Sequence, residues 1–285
     1  MPRLLVTNCT IEPPLGGIYL LDTDTRETRR LMDEPMRGIT YAPGGIYALG
    51  NHGAIFHVDP LTLTATKAAE IPFDGCHDMK WVQGGFCLAA SLGNFVARLD
   101  DQFNVTDRVQ IVEDSDDVCH VNCLAELNGA LYASIFTLAP GPRREKRYTT
   151  PWRTEGKILR IDFPNQRYDI AFEPLSQPHS LVWHDGRFYV CESYTSEISA
   201  VSLERGEKKV LHHEHGFIRG LAFAGGNAYV GVSRMRFKRP LAQRLREMFR
   251  MRNGVFEMDP KTWQVKRRFP LPGSETYEIL PLRDS

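Results

Sequence analysis

The sequence predicts an all-β protein, a six-bladed β-propeller in which strands from the two ends of the chain share one blade. The main observation is a repeat: short runs rich in β-branched and aromatic residues, separated by Gly-Gly or Asp-Gly turns, recur about every 40 residues. The second observation concerns the ends. TYEILPL, residues 276–282, matches the first strand of a blade, and LLVTNCT and GGIYLLD near the N-terminus match its next two strands. A blade completed in this way closes the ring without a long exposed sheet edge.

Five further copies of the repeat lie between these ends. Each copy has a polar residue, an apolar run, a Gly turn, an aromatic and apolar strand and a second turn. The polar residues that open the copies are Arg37, His77, His120, His179 and Arg219. Six blades of about 40 to 60 residues account for the whole chain, so a single domain over residues 1–285 is expected. A parallel α/β fold is excluded because no helical period separates the strands.

The composition is that of an ordinary globular protein, with 42% hydrophobic and 25% charged residues. Lys plus Arg and Asp plus Glu each number 35, so the net charge of zero gives the chain no overall attraction to nucleic acid or to an anionic membrane. No apolar run approaches the roughly 20 residues of a membrane-spanning helix, and the first residues carry too short an apolar stretch for a signal peptide. A cytoplasmic location is therefore expected.

Six cysteines are scattered through the strand-like runs without a Cys-x-x-Cys pair. Buried free thiols are therefore expected, rather than disulfides or a zinc site built from cysteines. The six are Cys9, Cys76, Cys87, Cys119, Cys123 and Cys191.

Two long insertions fall at the same place in their blades, between the second and third strands. They occupy residues 139–155 and 234–252, and propeller connectivity puts these connections on the face where every innermost strand begins. From Arg234 to Arg252 there are eight Lys or Arg residues and one Glu. Residues 240–252 place apolar side chains on one face of a helix, the one helix expected in the chain. This basic helix serves either as a lid over the channel or as a docking surface for a protein partner.

A ring of polar side chains is expected at the mouth of the central channel. Alignment of the copies places one residue of each blade at the start of the innermost strand, facing the propeller axis. The aligned residues are Arg37, His77, His120, His179, Arg219 and, in the shared blade, Glu278. The assignment depends on the register, because a shift of one residue turns a side chain to the other face.

Three of these side chains suit a metal site. The imidazoles of His77, His120 and His179 would hold one divalent metal, with Zn or Fe as the first candidates, and would leave positions open for water or substrate. The guanidinium groups of Arg37 and Arg219 suit bidentate binding of a carboxylate or phosphate. The alternatives are a polar channel that binds a ligand without metal and a ring with a purely structural role.

Further candidates lie beside the ring. Tyr277 is a candidate general acid, although a Tyr beside a channel also serves packing. Asn122 follows His120 by two residues and points the same way along its strand, so it is a candidate ligand contact or a cap on a neighbouring strand. Glu278 is a candidate partner for the arginines or for an imidazole.

Four stretches of the sequence resemble the signature blocks of a bacterial family of propeller-like proteins that is conserved and of unknown function. They are CHVNCLAELNGALYASIFT, PHSLVWHDGRFYVCESYTSEI, FIRGLAFAGGNAYVGVSRMR and TYEILPL. The resemblance covers roughly Met36 to the C-terminus. It implies the six-bladed fold and brings no known reaction.

The chemistry of the ring is similar to that of the peptidylhydroxyglycine amidating lyases, six-bladed propellers that bind zinc through three His and have Arg and Tyr near the substrate. The similarity implies that His77, His120 and His179 are the metal ligands and that Arg37 or Arg219 is the arginine. It lies in residue types alone, because the surrounding sequences do not match.

Two functional hypotheses follow. The first is a metal-dependent enzyme of lyase or hydrolase type that acts on a small anionic or peptide-like substrate, with Arg37, Arg219, Glu278 and Tyr277 as catalytic candidates. The second is a non-catalytic propeller module that recognises a peptide or small ligand of a biosynthetic partner, with the basic insertions as docking surface. Neither involves nucleic acid or an integral membrane contact.

Overall fold

Six four-stranded antiparallel sheets form a six-bladed β-propeller in the computed structural model, which describes residues 1–13, 16–113, 116–139, 153–234 and 253–283. The described residues contain 24 strands. In chain order these are β1 (Arg3–Asn8), β2 (Gly17–Asp22), β3 (Thr28–Met32), β4 (Met36–Ala42), β5 (Gly45–Gly50), β6 (Ala54–Val58), β7 (Ala65–Glu70), β8 (Cys76–Val82), β9 (Gly85–Ala90), β10 (Phe95–Leu99), β11 (Val105–Gln110), β12 (Leu124–Leu127), β13 (Ala130–Ile135), β14 (Gly156–Asp162), β15 (Arg167–Leu175), β16 (Pro178–His184), β17 (Arg187–Glu192), β18 (Glu197–Ser202), β19 (Glu207–His213), β20 (Phe217–Ala224), β21 (Asn227–Ser233), β22 (Gly254–Met258), β23 (Val265–Pro270) and β24 (Thr276–Pro281). The predicted fold class is confirmed.

The blade that closes the ring combines both ends of the chain. Blades I to V consist of consecutive strands, β4–β7, β8–β11, β12–β15, β16–β19 and β20–β23. Blade VI has the order β24-β1-β2-β3, so its innermost strand comes from the C-terminus. In this blade β24 pairs with β1, with Leu5 opposite Leu280 and Val6 opposite Ile279. The predicted closure through the termini is therefore confirmed.

The composition of a strand follows from its place in the blade. Second strands have a paired neighbour on each side and packed sheets above and below, and β9, GFCLAA, is buried at every residue. Outermost strands pair along one edge only and face solvent. Accordingly β7, ATKAAE, and β19, EKKVLHH, are rich in exposed charged residues, which also discourage pairing with another chain.

Neighbouring blades pack their apolar faces together. Between blades II and III, Val96 and Val109 share one buried cluster with Leu131 and Leu159. Further buried clusters join the other blades around the ring. Because each blade covers the apolar face of the next, loss of one innermost strand exposes apolar surface on both sides.

The innermost strands surround the propeller axis. Each of β4, β8, β12, β16, β20 and β24 contacts the next, and β24 contacts β4, which closes the circle. Since strands alternate in direction, the connection from the second to the third strand lies on the face where the innermost strands begin. Both predicted insertions leave from this face, after β13 and after β21. The predicted helix at 240–252 lies outside the described residues.

All six cysteines are buried free thiols, as predicted. In the part of the chain that the structure describes, no helix has the length and apolar character needed to cross a membrane.

Candidate functional site at the mouth of the channel

The pairing between first and second strands decides which residue of each blade faces the mouth. The equivalent apolar pairs in five blades are Ile39 with Ala48, Met79 with Leu88, Leu124 with Ala133, Leu221 with Val230 and Ile279 with Val6. In blade IV, Val182 opposite Tyr189 corresponds to Thr40 opposite Tyr47 of blade I, so Leu181 is the equivalent apolar position. The residue two positions before each of these apolar positions opens the innermost strand. We call these six residues the mouth ring: Arg37, His77, Asn122, His179, Arg219 and Tyr277.

Two members of the mouth ring differ from the prediction. In blade III the position belongs to Asn122, two residues before β12 begins, and His120 lies a further two residues earlier. In blade VI it belongs to Tyr277, and Glu278 is the residue after it. At both places two polar residues stand close together at the start of the strand. The sequence pattern does not tell which of the two occupies the ring position, and only the strand pairing decides it.

A β-bulge lies at or next to the ring position. The register shifts there in blades I, II, IV and V and on the closing strand of blade VI. Bulges bend a strand and re-aim a side chain, and they are common beside functional sites. The structure requires glycine after each of the two ring arginines. A Cβ on Gly38 would lie 2.6 Å from a carboxylate oxygen of Asp78, and Gly220 has φ +73°, which other residues rarely adopt.

In three blades a buried serine hydroxyl holds the start of the next innermost strand against the preceding blade. Ser193 donates to the carbonyl of Ile218, just before Arg219, at 2.7 Å, and Ser233 donates to the carbonyl of Thr276, just before Tyr277, at 2.9 Å. Ser91 donates in the same way to the carbonyl just before Asn122. A serine at the same place in three blades therefore fixes the backbone just before three members of the mouth ring.

Tyr277 reaches across the mouth. Its hydroxyl lies 2.9 Å from Nδ1 of His77 and 3.5 Å from Oδ1 of Asn122, although these residues belong to blades II and III and Tyr277 belongs to blade VI. Both contacts are satisfied when the hydroxyl donates to Asn122 and accepts from His77. Burial raises the pKa of the Tyr277 phenol well above its usual range, against the opposite effect of Arg37 and Arg219, so the phenol is protonated at neutral pH.

His120 lies next to His77 although it is not a ring member. The two imidazole rings meet edge to face, with centroids 4.4 Å apart. Nδ1 of His120 donates to Oδ2 of Asp117 at 2.7 Å, and both side chains are buried. The His120 backbone has φ +51°, in the left-handed region that few non-glycine residues adopt. The carboxylate fixes His120 as the Nδ1–H tautomer, so that Nε2 carries the lone pair.

His179 is held by a different set of partners. Its Nδ1 lies 2.9 Å from the carbonyl of Gln177 and 2.8 Å from the hydroxyl of Ser193. The only proton of that hydroxyl is donated to Ile218, so Nδ1 of His179 is the donor in both contacts. His179 is therefore also the Nδ1–H tautomer. Phe136 contacts both histidines, with ring centroids 4.3 Å from His120 and 5.2 Å from His179.

The two arginines of the ring have incomplete hydrogen bonding. Arg37 donates through Nη1 to the carbonyl of Cys76 at 2.9 Å, and Nη1 of Arg219 lies 3.5 Å from a carboxylate oxygen of Glu275. The Nε atoms of both arginines are buried and have no hydrogen-bond partner in the described residues. Within the same residues, no carboxylate lies within 4.0 Å of the Arg37 guanidinium.

Glu275 also contacts a cysteine. The thiol of Cys9 donates to the Glu275 carboxylate at 3.1 Å. Burial and then the Glu275 charge raise the pKa of Cys9 to about 12, while Arg219 and Arg37 act in the opposite direction. The thiol is therefore protonated at neutral pH and is not a nucleophile in this state.

Glu278 pairs with a lysine and not with the arginines or an imidazole. Its carboxylate accepts from Lys80 at 2.6 Å, and Asp78 lies 3.7 Å from the same ammonium group. Asp78 accepts the backbone N–H of Leu124. Burial and the neighbouring Glu278 charge raise the pKa of Asp78, and the two carboxylates together raise the pKa of Lys80 despite its desolvation. This triad joins blades II and VI directly behind His77 and Tyr277.

The positions of the three histidines show how well they fit a single metal ion. All three predicted ligands have an oriented Nδ1, which is how metal-binding imidazoles are commonly held. Within the described residues, however, no three His, Cys, Asp or Glu side chains are placed to hold one ion. His77 and His120 lie together, whereas His179 is reached through the Phe136 ring.

Sequence reasoning missed Asp117, Glu275 and Lys80. Asp117 belongs to the acidic run EDSDDV, residues 113–118, which ends two residues before His120, and this proximity is a signal available from the sequence. Glu275 and Lys80 have no such signal, because their partners are on other blades.

The chain also matches a known family by sequence. A family model described as a domain of unknown function (DUF4915) matches residues 72–280. The chain belongs to the DUF4915 family. This confirms the resemblance to a conserved propeller-like family of unknown function. Among curated proteins no sequence match was found.

Solved structures share the fold of this DUF4915 chain. A chain in the crystal structure of a nidogen/laminin complex is similar with a TM-score of 0.71 at 12% identity, over 99% of both chains. A protein of unknown function from Bacteroides caccae is similar with a TM-score of 0.67 at 13% identity, over 100% of both chains. At these identities the similarity shows the fold alone.

Proposed function

We propose that the mouth ring binds a small anionic substrate and that the adjacent imidazoles transfer protons on it, as an enzyme of lyase or hydrolase type. The observation that carries the proposal is the pair of buried Nε atoms of Arg37 and Arg219, which have no hydrogen-bond partner in the described residues. A buried donor without a partner is costly, and more so on a charged group. An anion whose oxygens accept from both guanidinium groups removes this cost.

The charges around the arginines favour the same ligand. The carboxylate of Glu275 lies 3.5 Å from the Arg219 guanidinium, which is long for an ion pair. Glu278, the carboxylate expected to pair with the arginines, is bound to Lys80 instead. Arg37 interacts with a backbone carbonyl. An incoming carboxylate or phosphate therefore meets a guanidinium whose charge is not already neutralised by a close carboxylate.

The imidazoles supply the proton-transfer chemistry. Asp117 holds His120 in the tautomer whose Nε2 accepts a proton, and it stabilises the imidazolium that results. The protonated phenol of Tyr277 and the imidazole of His77 are linked by a hydrogen bond, and the His77 ring lies against the ring of His120. The proposed site thus combines an imidazole that accepts a proton with guanidinium groups that bind the anion.

Binding of anions tests the first half of the proposal. Thermal unfolding and calorimetry would compare small carboxylates and phosphates with neutral amides and alcohols of matched size. Arg37→Met and Arg219→Met should each weaken anion binding by about tenfold or more. Arg98→Met is the matched control, because Arg98 is a half-buried arginine on β10, away from the mouth. If only neutral or cationic compounds bound, the proposal would be wrong.

Turnover tests the second half. Anions that bind would be incubated with the protein in D₂O and followed by proton NMR for exchange of C–H protons or for cleavage products. Loss of conversion in His120→Gln with unchanged anion affinity supports the catalytic role. Binding without any conversion in the wild type would favour the non-catalytic module that recognises a small ligand or peptide.

A second candidate is the metal-dependent form of the same enzyme. The observation that favours it is the fixed tautomer of His120 and His179, and the contact of the His77 Nδ1 with Tyr277, which together direct three Nε2 lone pairs away from their hydrogen-bond partners. Bound Zn or Fe would acidify a water molecule there. Elemental analysis of protein prepared without a His tag decides this. Stoichiometric metal that is lost in His77→Ala, His120→Ala and His179→Ala supports it, and wild-type protein without metal rejects it.

A further inference from the structure

Three buried donors without a hydrogen-bond partner in the described residues belong to the mouth ring. They are Nε of Arg37, Nε of Arg219 and the amide nitrogen of Asn122. Asn122 is 1% exposed, so its amide cannot be satisfied by bulk water. The other three ring members, His77, His179 and Tyr277, all have hydrogen bonds to neighbouring side chains.

These donors alternate around the axis. Arg37 belongs to blade I, Asn122 to blade III and Arg219 to blade V. In a closed ring of six blades, alternate blades are related by a rotation of about 120°. The three donors therefore approach the axis from three directions at equal angles, and the aromatic members of the ring stand between them.

Tyr277 contacts two of the three donor side chains directly and is linked to the third through a neighbouring strand. The Arg219 guanidinium is 5.6 Å from the centre of the Tyr277 ring, and Oδ1 of the Asn122 amide is 3.5 Å from its hydroxyl. Nη1 of Arg37 donates to the carbonyl of Cys76, the residue before His77, and the His77 imidazole contacts the same hydroxyl. The donors thus serve one site and not three.

The geometry points to a tetrahedral oxyanion as the ligand. We infer that a phosphate monoester or a chemically similar anion binds on the propeller axis, with one oxygen facing each of Arg37, Asn122 and Arg219 and its fourth substituent directed out of the mouth. A carboxylate has two oxygens in one plane and satisfies two of the three directions. A tetrahedral group presents three oxygens about one axis and satisfies all of them. This inference rests on the proposed anion site and specifies its ligand class.

Calorimetry on the full-length wild type without a tag tests the ligand geometry. The probes are inorganic phosphate, sulfate and methylphosphonate, compared with acetate and malonate so that the number of charges is matched. The tetrahedral anions should bind about tenfold or more tightly than planar anions of equal charge. Tighter binding of the carboxylates would overturn this inference and leave the anion site intact. Absence of binding by all five anions would overturn both.

Substitution of Asn122 tests the third donor. Asn122→Asp keeps the shape of the side chain and replaces the donor by a carboxylate oxygen, so phosphate affinity should fall by about a hundredfold through repulsion. Asn122→Ala removes the donor without adding charge and should weaken phosphate binding by about tenfold. It also serves if the Asp variant does not fold. Phosphate binding that is unchanged in Asn122→Ala would refute the three-donor site.

Discussion

The hydroxyl of Tyr277 lies 2.9 Å from Nδ1 of His77, although 200 residues separate them in the chain. The strand that carries Tyr277 closes the propeller, and the strand that carries His77 opens blade II. Blade I stands between them, so the contact spans its ring position. Closure of the propeller and assembly of the candidate site are therefore the same event.

Removal of the hydroxyl tests this link. Tyr277→Phe should lower the free energy of unfolding by about 1 kcal/mol, the usual contribution of one hydrogen bond. It should also change the ¹⁵N shifts of the His77 imidazole, because Nδ1 loses its partner. Tyr168→Phe is the control, since that hydroxyl donates to the carbonyl of Ile111 away from the mouth. An unchanged His77 imidazole in Tyr277→Phe would contradict the contact.

The closing strand should be essential to the whole propeller. Deletion of residues 276–285 removes β24, which pairs with β1 and packs against β20 and β4. Edges and apolar faces on both sides then become exposed, and we expect an aggregated or unfolded protein. Size-exclusion chromatography and thermal unfolding measure this. Deletion of residues 284–285 alone leaves β24 intact and is the control, and a monomer with an unchanged Tm after the longer deletion would refute the shared blade.

Stability should depend on pH through Asp78. Burial and Glu278 raise the pKa of Asp78 in the folded state above its value of 3.8 in the unfolded chain. The protonated form is therefore favoured by folding. Its contribution is fully present below the unfolded pKa and is lost as the pH rises through the folded pKa. Asp78→Asn should flatten this loss, so the difference in unfolding free energy between wild type and variant should change between pH 4 and pH 8. A constant difference across this range would exclude the effect.

Lys80 should contribute more to the stability of the fold than its partly exposed position suggests. Lys80→Met leaves the Glu278 carboxylate without its ammonium partner beside the buried Asp78, and we expect a loss of about 3 to 5 kcal/mol in the free energy of unfolding. Glu278→Gln added to Lys80→Met should recover part of that loss, because it removes the carboxylate charge that lost its partner. Denaturant titration of the two variants measures both. Equal stability of single and double variants would show that the charges are not coupled.

Two equivalent serines separate a structural role from a role in the site. Ser193 and Ser91 both donate to a backbone carbonyl of the next blade, but only Ser193 also contacts the imidazole of His179. Ser193→Ala and Ser91→Ala should each cost about 1 kcal/mol. Only Ser193→Ala should shift the NMR titration curve of His179. If both variants shifted it equally, the hydroxyl of Ser193 would not orient the imidazole.

The repeat in the sequence determined the blade count, the closure through the termini and the place of the two insertions. These features depend on local signals, because alternating apolar residues and glycine turns specify strands and hairpins within about 40 residues of chain. Four members of the mouth ring, Arg37, His77, His179 and Arg219, follow from the same pattern. In their blades one polar residue stands out at the strand start.

The tertiary structure decided the rest of the site. Strand pairing decides whether Asn122 or His120 occupies the ring position in blade III. Strand pairing and a bulge together decide between Tyr277 and Glu278 in blade VI. The pattern of polar and apolar residues is insensitive to both. The partners that orient or charge the site, such as Lys80 for Glu278, come from strands far apart in the chain. They meet only when the ring of blades closes, because it is closure that brings the innermost strands of blades II and VI to the same mouth.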